Sequence, residues 1–210
     1  MKKLLLSVLL ASLLLVPTAT FALADDLNAA PVTVTENEAY TPGEAPAQDC
    51  AAAMSPAIHA VLLAMQNQDR TVFTTEDPVL TWEMLYNLLS MYGQLDDRSD
   101  YDGELLVLPS ETVWDYSAAL FAAPLDPADL PEELADRMTY DAESDCYYLC
   151  CGSDGLSEVT LTTVPAADGS LLVSGSLVFT PEELELASFT AVLTAADNLF
   201  GYTLAQLNVL

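Results

Sequence analysis

The sequence predicts an α+β fold, with N-terminal helices packed on a curved antiparallel sheet. Three observations carry that expectation. Apolar residues recur at helical spacing between residues 55 and 121, the period falls to two from Met138 onward, and tight-turn dipeptides separate the alternating runs.

The elements follow in chain order. Ser55-Pro56 marks a helix start, Ser as N-cap and Pro at the first helical position. Ile58, Val61, Leu62 and Met65 give that helix its stripe, and it can reach back through Ala51 to Met54. A second helix begins near Asp77-Pro78, with Trp82, Leu85, Leu89 and Tyr92 on one side and Gly93 suited to the C-terminal cap. The acidic stretch 96–104 reads as a loop leading into "ELLVLP", a short apolar run that ends at Pro109 and reads as a strand. Ser110 opens a third helix, "SETVWDYSAALF", with Val113, Tyr116 and Leu120 inward. Pro124, Pro127 and Pro131 interrupt the next stretch around a helical turn at 132–137. Strands then follow over 139–140, 146–151, 158–164, 171–179, 187–195 and 201–210. Asp168-Gly169 and 198–201 act as turns, and Gly175 marks a bend or bulge.

The order helix, helix, strand, helix, meander resembles the NTF2-like (cystatin-like) cone, a curved sheet wrapped around a long helix. The resemblance covers roughly residues 50–210. The pieces "LPSETVWDYSAALF", "YDAESDCYYL" and "FGYTLAQLNVL" also resemble exported proteins of anaerobic Gram-positive bacteria. Membership of the cone class implies a ligand-binding module or a dehydratase- or isomerase-like enzyme with Asp, Tyr or His side chains pointing into the cone. No residue here matches those catalytic positions, so none is carried over, and fold alone does not give function.

Residues 1–24 read as a signal peptide: Lys2 and Lys3, an uncharged run from Leu4 to Val16, Pro17, and Ala22-Leu23-Ala24 before Asp25-Asp26, with a cut after Ala24. The apolar run is shorter than the ~20 residues that a bilayer-spanning helix needs. Residues 25–49 read as a disordered or extended acidic arm, although Val32, Val34 and Tyr40 could lie against the domain; residues 50–210 read as one α+β domain. All 32 acids lie after Ala24, where only Arg70, Arg98 and Arg137 remain as cations, giving 32 − 3, or a net charge of −29. Such a chain repels nucleic-acid phosphates and anionic lipid headgroups, so neither nucleic acid nor membrane is expected as a partner.

Three of the four cysteines lie within "CYYLCC", residues 146–151. In a strand, Cys146 and Cys150 stand ~13 Å apart, at ~3.3 Å per residue. A disulfide needs Cα atoms within roughly 7 Å, so these two cannot bridge each other. Cys150 and Cys151 point to opposite faces. One disulfide remains open, from Cys50 to Cys146, Cys150 or Cys151, and the same geometry denies the cluster a shared metal. The stretch 96–104 invites a calcium reading. Aligning Gly103 with the EF-hand glycine puts Asp100 and Asp102 at liganding positions but also puts Arg98 at position 1 and Pro109 at position 12, so the template fails and only a looser cation site is left. His59 is the lone histidine, placed toward the flank of its helix, and no catalytic partner for it is legible. Trp82, Tyr86, Trp114 and Tyr148 are candidates to line a cone pocket, with core packing as the plainer role.

These features predict no catalytic, cofactor or metal residue. The expected function is an exported, acidic, non-enzymatic domain that binds an unknown protein or small molecule, or plays a structural part. Two alternatives stand beside it: a cone-fold lyase, isomerase or hydrolase, and a cation-assisted surface or adhesion module.

Overall fold

The change of hydrophobic period is realised as helices followed by strands. The computed structural model describes residues 51–153 and 155–210; the expected signal peptide 1–24, the expected arm 25–49 and Cys50 lie outside the described residues. Helices α1 (Ser55–Asn67), α2 (Pro78–Tyr92) and α3 (Ser110–Ser117) precede most of the strands. The strands are β1 (Asp100–Asp102), β2 (Leu105–Pro109), β3 (Met138–Asp141), β4 (Cys146–Cys150), β5 (Ser157–Pro165), β6 (Leu171–Phe179), β7 (Leu184–Ala195) and β8 (Tyr202–Val209).

The chain is α+β, but the strands that the sequence reading joined into one curved sheet are divided between two. Among the described residues there are two four-stranded sheets, ordered β1-β2-β4-β3 and β5-β6-β7-β8, with every pairing antiparallel. The division falls after β4, where the chain is tied to α2 instead of turning into another hairpin: the Gly152 N–H donates to the Ser90 carbonyl at 3.2 Å.

Both sheets share one hydrophobic core with the helices. Helix α1 packs on α2 and reaches β5, while α2 and α3 pack together and against β4. Ile58, Met65, Trp82 and Leu89 are buried from the helices, Tyr147 and Leu149 from β4, and Leu177, Phe189, Leu193 and Leu207 from the second sheet. Strand alternation has the period-two form of a half-buried sheet. In β5, Ser157, Val159, Leu161 and Thr163 turn inward, while Glu158, Thr160, Thr162 and Val164 are exposed.

Several local expectations are corrected. Ser55 is not an N-cap: helical geometry already covers 51–53, and the Ile58 N–H donates to the Met54 carbonyl at 2.9 Å. Asp77 does cap α2, its carboxylate accepting from the Leu80 N–H. Gly93 takes the cap position with ordinary helical angles, φ −61° and ψ −27°, and leads into a 3-10 turn. Its lack of a side chain serves close packing, since a Cβ there would lie 2.9 Å from a Leu108 methyl. The Ser110 hydroxyl turns away from its own helix and donates to the Asp145 carboxylate at 2.6 Å. Part of the acidic loop is strand, with Asp100–Asp102 pairing with 105–107 around Gly103 at φ +64°. Gly175 is not itself the bulge: the register slips at Leu177/Val178, and again at Val192/Leu193 where Ala205 is the extra residue. Ala195, expected inward, is exposed.

Candidate functional site

Two places bring polar chemistry and accessible space into question: a buried cluster around His59, and an apolar cleft at the far end of the second sheet.

His59 lies in the middle of α1 and is buried, 3% exposed, not on a flank. Its Nδ1 meets the Tyr92 hydroxyl at 2.6 Å and its Nε2 meets the Ser157 Oγ at 2.9 Å. A neutral imidazole has one N–H and one lone pair, so one hydroxyl receives from the ring and the other donates to it. The three groups come from α1, the end of α2 and the start of β5. Ser157 follows Leu156, whose φ of +57° is rare for a branched side chain. A serine hydroxyl against an imidazole nitrogen is the pairing that nucleophilic catalysis uses. Here the serine is 6% exposed and the histidine 3%, which closes the pair to a substrate in this conformation. The arrangement ties α1, α2 and β5 together.

The cleft has a volume of about 910 Å³. It exists because the outer edge of β8 is covered at both ends and open between. At one end the Phe73 N–H donates to the Leu207 carbonyl at 2.9 Å; at the other the Leu204 N–H donates to the Ala119 carbonyl at 2.8 Å. The bulge at Ala205 lies between them and turns the strand aside. Phe73, Leu120, Phe121, Leu125 and Leu204 line the space, and Ala122 and Ala123 form an exposed lip.

Three of the six polar side chains lining the cleft, Asn198, Thr203 and Thr81, are engaged within the protein. The Asn198 amide points both hydrogens at the Ala118 carbonyl (2.8 Å), the Tyr202 carbonyl (3.1 Å) and the Thr203 Oγ1 (3.2 Å), while its oxygen accepts from the Phe200 N–H. The Thr203 hydroxyl donates to the Ala118 carbonyl at 2.6 Å, and the Thr81 hydroxyl donates to the Asp77 carbonyl at 2.8 Å. Asn198 and Thr203 therefore satisfy the Ala118 carbonyl, which the C-terminus of α3 would otherwise leave open. That fixes the wall of the cleft in place.

The other residues singled out by sequence are dispersed. The extended reading of the cysteine stretch holds for β4, and Cys146, Cys150 and Cys151 are free thiols. Their nearest polar partners differ: the Ser144 carbonyl, the Asp136 carbonyl and the Tyr101 hydroxyl. Asp96 accepts two bonds from the Arg98 side chain, which hold its carboxyl below the usual range, and Arg98 also pairs with Asp115 at 2.8 Å. Among the described residues no group of three or more His, Cys, Asp or Glu is placed to hold a metal ion, and no helix is long and apolar enough to cross a membrane. Trp82 and Tyr86 are buried, the Tyr86 hydroxyl donating to the Cys150 carbonyl at 3.1 Å; Trp114 is exposed and Tyr148 half-buried. None of the four lines the cleft.

Sequence reasoning missed the partners of His59 because Tyr92 and Ser157 lie 33 and 98 residues away along the chain. It missed the cleft because a strand edge left open by a bulge has no compositional mark. The turn at Asn198 was the one available signal. Comparison with family models, with curated proteins and with solved structures finds no match.

Proposed function

We propose that the chain is an exported, acidic, non-enzymatic binding module that takes the apolar part of a small ligand into the cleft between Phe73, Phe121 and Leu204. The observation that carries this reading is the cleft itself. Its volume of about 910 Å³ falls within the roughly 300–1,000 Å³ range of small-molecule sites. Its walls are mainly apolar, and Thr81, Asn198 and Thr203 among its polar side chains are already hydrogen-bonded, so a ligand meets a wall that is largely held in place.

The test uses 1-octanol as a neutral apolar probe on the full chain, followed by amide chemical-shift mapping. Shifts are expected at 118–125 and 203–205, with a dissociation constant on the order of 1 mM for so small a probe. Ala123→Trp, on the exposed lip, should fill the space and abolish them without altering the fold. Octanol binding that is absent, or confined to other residues, would end the reading. Export is supported by the composition of residues 1–24 and predicts a culture-medium form that begins at Asp25 by mass spectrometry.

A second reading, a hydrolase built on Ser157 and His59, is favoured by their 2.9 Å contact. It requires a substrate to reach a serine only 6% exposed. Labelling of Ser157 by a fluorophosphonate reagent, lost in Ser157→Ala, would support it over the first.

A further inference from the structure

The polar groups left over in the cleft bear on the head group of its ligand, an inference that rests on the binding reading above. The side-chain donors next to the apolar walls are spent: both Asn198 amide hydrogens and the hydroxyl hydrogens of Thr203 and Thr81 go to acceptors within the protein. Thr75 and Thr194, on the exposed rim, carry hydroxyls that can turn to donate or to accept. Among the described residues, the one ionisable side chain lining the cleft is Asp197. It is exposed in the turn between β7 and β8, and its carboxylate makes no hydrogen bond or ion pair with a described residue. Among the described residues no cation lines the cleft. Each arginine of the described residues is held elsewhere: Arg70 by Asp77 at 2.7 Å, Arg98 by Asp96 and Asp115 at 2.8 Å, Arg137 beside Glu83 at 3.9 Å.

We infer that the cleft takes a cationic amphiphile, its aliphatic body against Phe73, Phe121 and Leu204 and its ammonium at Asp197. A carboxylate or phosphate head group would meet an unpaired negative charge, with no cationic side chain among the described residues facing it and an acidic chain behind. An ammonium brings hydrogen-bond donors and positive charge to a place that offers acceptors and negative charge, and the acidic surface steers it there.

Calorimetric titration of the full chain with octylammonium, 1-octanol and octyl sulfate, each below its micellar concentration and at low ionic strength, separates the possibilities. Octylammonium should bind about ten-fold more tightly than octyl sulfate, with octanol between them and the gap narrowing as salt is added. Asp197→Asn should weaken octylammonium about two- to five-fold and leave octanol unchanged. Equal affinity for all three head groups would overturn the inference while leaving an apolar site. Octylammonium binding that ignores Asp197→Asn and shifts amides away from 118–125 and 203–205 would reduce it to diffuse surface attraction and also overturn it. Failure of octanol itself would instead remove the binding reading on which the inference stands.

Discussion

At the scale of single residues, Gly175 shows how a sheet position can tolerate no side chain at all. It sits opposite Leu161 on β5 and Phe189 on β7. A Cβ there would collide with the Thr160 carbonyl oxygen and stand 3.0 and 3.1 Å from two Phe189 ring atoms. The obstacle on one side is backbone, so it cannot rotate away. Gly175→Ala is expected to destabilise the protein by about 1–3 kcal/mol, as overpacking does, seen as a lower denaturant midpoint; an unchanged midpoint would mean that the strands do not approach this closely. The His59 cluster makes a second residue-scale prediction. Tyr92→Phe and Ser157→Ala each remove one hydroxyl from the buried imidazole and should cost about 1–2 kcal/mol apiece in chemical denaturation. The same cluster marks the limit of the sequence. Helical spacing shows that His59 lies on a helix, but its burial depends on α2 and β5 arriving from far along the chain, and no local pattern encodes that arrival.

At the scale of elements, local rules were read correctly where they act alone. Asp77-Pro78 opens α2 because a capping carboxylate followed by proline serves any helix start. The strand period placed β4, β5, β6 and β8 because alternation depends only on having one buried face. Ser110 was misread as a cap because its hydroxyl found a stronger acceptor in another element. Asp145, at φ +53° in the turn between β3 and β4, receives hydrogen bonds from the Ser110 and Tyr140 hydroxyls at 2.6 and 2.8 Å. These bonds, Ser110 first, hold its carboxyl below the ordinary range. A depressed carboxyl contributes stability that is complete above the unfolded value near ~4 and is lost as pH falls through the folded value. Asp145→Ala should therefore be less stable than the parent at pH 7, with the gap closing below about pH 4 in paired urea titrations. A gap unchanged by acid would assign the effect to packing. The thiols give an element-scale test of extended geometry. Under native conditions a maleimide should modify exposed Cys151 fastest and half-buried Cys146 and Cys150 more slowly. Peptide mapping that finds a Cys146–Cys150 disulfide would contradict the strand.

At the scale of the whole molecule, the governing quantity is charge. After Ala24, 32 acids face three arginines, and each arginine is already ion-paired. Added salt acts on two terms of opposite sign. It weakens the few exposed ion pairs, each worth about 0–1 kcal/mol, and it screens repulsion among the many carboxylates that have no partner of opposite charge. With so few pairs to lose, the repulsive term must dominate, and the folded state, which holds the carboxylates closest together, gains more from screening than the unfolded chain. Raising sodium chloride from 10 to 200 mM at pH 7 should raise the melting temperature. In a chain of this length each 1 kcal/mol of relieved repulsion corresponds to about 2–4 °C. The alkaline side behaves differently. Burial raises the phenols of Tyr86 and Tyr116 above their ordinary value of 10.0, so the stability they contribute is complete below pH 10 and falls as pH climbs through the folded values; screening cannot restore it. Calorimetry at low and high salt, at pH 7 and again above pH 10, tests both terms together. A melting temperature at pH 7 that is flat or falls with salt would mean that the acidic surface is held by local contacts, not opposed by its own charge.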